Sequence, residues 1–90
     1  MERPEVFGGK NIAPTIVRLW VDYERAEGIL NNPLHQSQRL EQEEIDGSIN
    51  ILLNIPITDE FETYLAKNHK QIMVASPTSL ANKIKKLIGE

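Results

Sequence analysis

Apolar and polar side chains alternate over the first patterned segment, residues 15–22. Val17, Leu19 and Val21 point to one side of an extended chain, and the residues between them point to the other. Strict alternation of this kind predicts a strand with one buried face. A helix is expected next, because the carboxylate of Asp22 can accept hydrogen bonds from the free amides of a first helical turn.

Three segments show apolar residues at helical spacing instead. The first ends at Asn31-Asn32-Pro33, and Thr58 is the expected N-cap of the second. A third helix follows Pro77. The three apolar stripes are Ala26, Ile29 and Leu30; Phe61, Tyr64 and Leu65; and Leu80, Ile84, Leu87 and Ile88.

A hairpin is the strongest local signal in the chain. A polar strand over residues 37–45 and an apolar strand over residues 48–57 flank Asp46-Gly47, a pair that favours a two-residue turn. Counting outward from such a turn pairs Ile45 with Ser48, Gln42 with Ile51, Leu40 with Leu53, and Arg39 with Asn54. The glutamate-rich first strand is typical of a sheet edge, and the apolar second strand of a central position.

With a short strand over residues 71–75, the element order is β-α-β-β-α-β-α. This order predicts an α+β, ferredoxin-like βαββαβ sandwich. Four antiparallel strands would carry two helices on one face, with a C-terminal helix added. We expect this domain to occupy residues 15–90. Residues 1–14, with two of the five prolines and two of the five glycines, are expected to be a linker or the tail of a preceding domain.

Composition narrows the function without naming it. The chain has 90 residues and no cysteine, which excludes disulfides, thiolate metal sites and a cysteine nucleophile. Residues 1–66 carry five basic and twelve acidic side chains, whereas residues 67–90 carry five basic and one acidic. A net charge of −3 argues against a uniformly basic DNA-binding domain. No apolar run resembles a signal core or a membrane span, so we expect a cytoplasmic protein with no membrane partner.

Catalytic chemistry finds little support in the sequence. His35 and His69 lie on different predicted loops, and neither is at ligand spacing with another histidine or a carboxylate. Acylphosphatases share this element order, but their glycine-rich phosphate loop is absent. We therefore expect no catalytic residue, no metal site and no cofactor, and an acylphosphatase-like enzyme is a remote alternative.

The predicted sheet face without helices is the best candidate for function. Trp20, the only tryptophan, falls on this face beside Leu52 and two arginines. A large aromatic residue in such a place favours an interface, and we expect a homodimer formed through this face. The alternative is that residues 1–14 fold back over it. The candidate contact residues are Arg18, Trp20, Arg39, Asn50, Leu52 and Asn54, with Glu41 on the same face.

Several segments together resemble a known family. They are residues 34–40 (LHQSQRL), 46–48 (DGS), 59–61 (DEF) and 72–80 (IMVASPTSL), with Phe7-Gly8-Gly9 resembling the join before the first strand. In this order they are similar to the C-terminal extension (WCX) of bacterial WYL-domain transcriptional regulators. The resemblance covers nearly the whole chain.

The chain departs from the family pattern at three positions. Gln36 stands where the family usually has proline, Tyr64 replaces the usual tryptophan, and His69 replaces a helix-ending glycine. The turn at His69 must then close in another way, and Asn68 in a left-handed conformation is one expectation.

The resemblance implies a non-enzymatic role in regulation and dimerisation. Upstream WYL and helix-turn-helix domains would sense a nucleic-acid or small-molecule effector and bind DNA, and DNA would be contacted only through the upstream domain. A small-molecule-sensing ferredoxin-like module of another regulator class is the alternative. The motif residues His35, Ser37 and Gln38 either line a surface towards the WYL domain or its ligand, or satisfy backbone groups at the start of the edge strand. We favour the second interpretation.

Overall fold

The structure of the protein is a computed structural model, which describes residues 13–89. The expected linker, residues 1–14, therefore lies almost wholly outside the described residues. The strands and helices are β1 Thr15–Val21, α1 Tyr23–Asn31, β2 Arg39–Glu43, β3 Ile49–Ile55, α2 Asp59–Lys67, β4 Ile72–Ser76 and α3 Thr78–Leu87.

The four strands form one sheet in the order β2-β3-β1-β4, and every neighbouring pair is antiparallel. Strands β1 and β3 occupy the centre, with β2 and β4 at the two edges. This is the spatial order of a split βαβ sheet, and it confirms the predicted α+β, ferredoxin-like fold. The polar strand β2 is at an edge, as predicted, and all five of its residues are exposed.

One face of the sheet is covered by the helices. Val17, Leu19 and Val21 on β1 have no exposed surface, because they pack in a single apolar cluster with β3 and the helices. All three helices contribute, so α3 is part of the core. The helical members are Ala26 and Ile29, Phe61 and Leu65, and Leu80 and Ile84. Between residues 13 and 89, no helix has the length and apolar content needed to cross a bilayer.

The hairpin turn is longer than predicted. The Glu44 amide donates to the Ser48 carbonyl at 2.8 Å, and the Gly47 amide donates to the Glu44 carbonyl at 3.0 Å. The turn therefore has three residues, 45–47, and the predicted two-residue turn is wrong. Gly47 has φ +91°, a left-handed conformation that glycine adopts without steric cost. Ile45 is at the tip of the turn, fully exposed, and does not pair with Ser48.

The strand register also differs from the predicted one. The ladder shifts between Leu40 and Gln42, so that two residues of β2, Glu41 and Gln42, lie opposite Asn50. This is a β-bulge, which together with the longer turn overturns every predicted pair. The observed pairs are Arg39 with Leu52, Leu40 with Ile51, Gln42 with Asn50, and Glu43 with Ile49.

Of three predictions made for the ends of helices, one is confirmed and two are wrong. Thr58 Oγ1 accepts a hydrogen bond from the Phe61 amide at 3.2 Å, as an N-cap should. Asp22 occupies the N-cap position of α1, but its carboxylate makes no capping bond. Asn68 has φ −109°, outside the left-handed region, and its side-chain amide closes the turn by donating to the Tyr64 carbonyl at 2.8 Å.

Candidate interaction surface

The six predicted contact residues lie together on the sheet face opposite the helices. Directly paired residues of antiparallel strands point to the same face. Pairing therefore joins Arg39, Leu52 and Arg18 in one row, and Asn50 and Trp20 in the next. Asn54 pairs with Ile16 in a third row. We call this surface the open face, and it comprises Ile16, Arg18, Trp20, Arg39, Glu41, Gln42, Asn50, Leu52, Asn54 and Met73.

The open face carries more apolar surface than predicted. Trp20 pairs with Met73, which is 57% exposed, and Ile16 is 55% exposed. Neither Met73 nor Ile16 was among the predicted contact residues, although the alternation of side chains along their strands places both on this face. Ile16 has the same parity as Trp20 in β1, and Met73 alternates with the inward-facing Ile72 and Val74. The row formed by Gln42, Asn50, Trp20 and Met73 therefore changes from polar at β2 to apolar at β4.

An ion pair crosses the open face. Arg18 Nε and Nη2 donate to the two carboxylate oxygens of Glu41 at 2.6 and 2.8 Å. The hydrogen bonds from Arg18 lower the pKa of the Glu41 carboxyl, and the same contact raises the pKa of Arg18. The bulge makes this contact possible by adding Glu41 to the open side of β2. Both groups stay charged near neutral pH, and their charges cancel locally.

Hydrogen bonds join His35 to Ser37, and Ser37 to β3. The Ser37 amide donates to His35 Nδ1 at 3.1 Å, so this ring nitrogen is an acceptor, and Ser37 Oγ lies 2.7 Å from it. Ser37 Oγ also accepts from the Asn54 amide at 2.9 Å and lies 3.1 Å from the Asn54 carbonyl. His35 is buried. The contacts serve backbone groups beside β2.

Gln38 connects the end of α1 to the loop before β2. Its side-chain oxygen accepts from the Leu34 amide at 2.8 Å, and its side-chain nitrogen donates to the Ile29 carbonyl at 3.0 Å. One side chain therefore satisfies a donor and an acceptor of the backbone. Like the contacts of Ser37, these bonds satisfy backbone groups near the edge strand, as expected if the motif residues serve the backbone. A role in ligand contact stays a prediction.

A buried carboxylate was not found from the sequence. Glu62 on α2 is 7% exposed and lies 3.1 Å from the ammonium group of Lys83 on α3. Its place in a helix rich in acidic residues gave no sign of burial. The pair joins α2 to α3. Removing Lys83 would leave the buried Glu62 carboxylate without its counter-charge, which is costly.

The described residues offer no concentrated chemical centre. Within residues 13–89, no group of three His, Asp or Glu side chains is placed to hold a metal ion. An open depression of about 380 Å³ follows the outer side of α2, between Asp59 and Lys67. It contains none of the predicted contact residues.

Two comparisons with known proteins gave no match. No protein-family model matches the chain, and no curated protein is similar to it in sequence.

Proposed function

We propose that this chain is a non-enzymatic regulatory and dimerisation domain of a bacterial WYL-type transcriptional regulator acting in the cytoplasm. In this role it relays effector binding at a WYL domain to a separate helix-turn-helix domain, which contacts DNA. The effector is a nucleic acid or a small molecule. The resemblance of residues 34–40 and 72–80 to the family's C-terminal extension supports this assignment.

The apolar side of the open face carries the dimerisation part of the proposal. Trp20 and Met73 are neighbours on a sheet face that no described helix covers, and Leu52 lies in the adjoining row. Tryptophan, methionine and arginine are enriched in protein interfaces, and contiguous apolar patches on monomers tend to be functional. A second copy suits this surface, because a two-fold axis lets one patch contact itself.

The polar part of the same face is compatible with such a contact. Arg18 and Glu41 neutralise one another, so that bringing two copies together adds little charge repulsion there. Arg39, Asn50 and Asn54 surround the apolar row with hydrogen-bonding groups. An apolar centre with a polar rim is the usual anatomy of an interface.

The histidine and serine of the motif support a non-enzymatic role. A serine nucleophile needs a hydroxyl free to attack a substrate and a base that takes its proton. Ser37 Oγ does lie 2.7 Å from His35 Nδ1, but His35 is buried, and the same Oγ accepts from the Asn54 amide and lies 3.1 Å from the Asn54 carbonyl. Both side chains are engaged with the backbone.

Sedimentation velocity of the chain and of a Trp20→Ala variant tests the open-face contact. At about 500 mM salt, which screens contacts between exposed charges, we expect the variant to dissociate at concentrations at which the unchanged chain is still paired, and association to be affected more than folding stability. Leu30→Ala is the matched control, because Leu30 is 40% exposed on α1, away from the open face. It should leave association unchanged.

The opposite pattern would overturn the dimerisation part of the proposal. A Trp20→Ala chain that sediments like the unchanged one, but melts at a clearly lower temperature, would make Trp20 a folding residue. The regulatory part has a separate check, the coding sequence around these ninety residues. A neighbouring region without a WYL domain and a helix-turn-helix would contradict it.

A further inference from the structure

Most of the charged side chains that form no salt bridge among the described residues lie at one end of the sheet. Glu43, Ile49, Val21 and Ile72 form the last row of the sheet at this end, in the spatial order of their strands. The hairpin turn, the start of α1 and the loop before β4 lie directly beyond that row. We call this surface the charged end.

The half of the charged end beside β2 and β3 is acidic. Asp22 and Glu24 lie at the start of α1, and Glu43, Glu44 and Asp46 lie in or next to the hairpin turn. The two segments are in contact, since a Cβ on Gly47 would be 3.0 Å from the Cβ of Tyr23. Tyr23 is 61% exposed and Ile45 fully exposed, so apolar side chains project among the carboxylates.

The half beside β4 is basic. Lys67 ends α2, and Lys70 lies in the loop before β4. Helix α3 starts after Ser76, at the other end of β4, and packs back along β4 and α2. The contact between Lys83 and Glu62 shows that the two helices lie side by side. Their last turns therefore reach the same end, and Lys85 and Lys86 join this half.

The basic half carries a clear excess of positive charge. Residues 67–90 contain five lysines and one acidic residue, Glu90. Lys83 is the member with a salt bridge among the described residues, and its partner Glu62 is on α2. All five lysines are exposed, and Leu87 on α3 is 53% exposed next to them.

We propose that the charged end is an interface between two copies of this chain. A two-fold axis through this end sets the acidic half of each copy against the basic half of the other. Such a contact is closed and uses one surface twice, which is the commonest symmetry of homo-oligomers. Tyr23 and Ile45 of each copy then approach Leu87 of the other, which adds apolar contact between the charges.

A second copy fits the charged end better than nucleic acid does. A DNA or RNA backbone attracted by the lysines would meet the carboxylates of Glu24 and Glu44 on the same surface, and like charges in an interface are costly. A wholly basic partner would meet Lys85 and Lys86 in the same way. The partner that satisfies both halves has both halves itself.

This interface is separate from the open-face contact of the proposed function. The open face relies on apolar side chains around Trp20, whereas the charged end relies on exposed ion pairs that salt screens. Failure of one contact leaves the other in place. If both form, each chain contacts two others, so that association proceeds beyond a dimer.

Charge reversal tests the proposal in the ninety-residue chain. One variant carries Glu24→Lys and Glu43→Lys, and the other carries Lys85→Glu and Lys86→Glu. These four side chains are exposed and make no side-chain hydrogen bond within residues 13–89. Sedimentation velocity at about 50 mM and about 500 mM salt measures association, and far-UV circular dichroism checks the fold.

We expect each variant alone to associate about tenfold or more weakly than the unchanged chain at low salt. An equimolar mixture of the two should restore pairing, because the reversed halves are again complementary. Association of the unchanged chain should weaken at high salt. A Trp20→Ala chain should keep this salt-sensitive association, which separates the charged end from the open face.

Asp59→Lys with Glu60→Lys is the control, since it makes the same charge change where α2 begins, at the other end of the sheet. It should associate as the unchanged chain does. The proposal is overturned if the two charge-reversed variants each associate normally. It is equally overturned if both are weakened but their mixture is no stronger than either alone, because the partner is then not a second copy.

Discussion

The two faces of the sheet differ more than the alternation of their strands suggests. On β1, Val17, Leu19 and Val21 have no exposed surface, while Ile16 on the other face is 55% exposed. On β3, the apolar residues Ile49 to Ile55 of the helix-covered face are 1% exposed or less, while Asn54 is exposed. In the two central strands the covered face is apolar apart from Thr15 at the start of β1, and the other face mixes apolar, charged and amide side chains.

This difference shows which positions hold the fold and which are free for contacts. Side chains at 0% exposure contribute their full transfer free energy and leave a cavity when shortened. On the open face, Ile16 and Met73 are more than half exposed, so that shortening them removes less, whereas Trp20 and Leu52 are half-buried. Neighbouring residues of one strand should therefore respond differently to substitution, which can be measured.

The largest expected effect is at Leu19. Leu19→Ala should lower the free energy of unfolding by about 2 to 5 kcal/mol, because Leu19 is fully buried in the core cluster. Urea denaturation followed by circular dichroism measures this loss. Ile16→Ala, on the open face of the same strand and 55% exposed, is the comparison and should cost clearly less. Equal losses in the two variants would show that the open face is part of the core.

A smaller effect is expected at Gln38, which lies before the edge strand whose residues are all exposed. Because β2 buries little, we expect hydrogen bonds to fix its position. Gln38→Ala leaves the Leu34 amide and the Ile29 carbonyl without this partner and should cost about 1 to 3 kcal/mol. Hydrogen exchange should quicken at the Leu34 amide. Gln42→Ala, on the exposed strand, is the control, and an equally large loss there would contradict the assignment.

The smallest effect on stability is expected at the ion pair of the open face. Arg18→Met removes the donor that lowers the pKa of Glu41, so that this pKa should rise towards the ordinary carboxyl value. Since the folded pKa is the lower one, the pair stabilises the fold above the unfolded carboxyl pKa and is lost as the pH falls through the folded pKa. The side chains of Arg18 and Glu41 are 46% and 35% exposed, so that water screens the pair and the stability difference should be slight.

An NMR titration of the Glu41 carboxyl in both chains measures the shift directly. Asp46 is the internal control, because its pKa is lowered by hydrogen bonds from Ser48 and is independent of Arg18. A Glu41 pKa that is the same in both chains would show that the two side chains are not paired in solution.

The fold followed from the sequence because its signals are local and regular. Alternation around Leu19 and the apolar run of β3 set the faces, and helical stripes such as Phe61 and Leu65 set the layers. The six contact candidates fell on one face for the same reason, since parity in a strand decides the face. The cap at Thr58 depends only on the residues next to it.

The features that were not predicted depend on one-residue differences or on distant partners. The three-residue turn and the bulge at Glu41 each shift the register by one residue, so that counting residues from Asp46-Gly47 gave the wrong pairs. The contact of Arg18 with Glu41 depends on that bulge. Burial of Glu62 depends on where α3 packs, which is a matter of tertiary structure.

The bulge also determines where β2 could lose a residue without disturbing the sheet. Leu40 and Arg39 keep the faces they would have in a regular ladder, because Glu41 is accommodated as a surplus residue opposite Asn50. The strand can therefore lose this one position while every other side chain stays on its own side of the sheet. An insertion or deletion elsewhere in β2 would turn the rest of the strand over. Position 41 is therefore the place in β2 where the sheet should tolerate the loss of a single residue best.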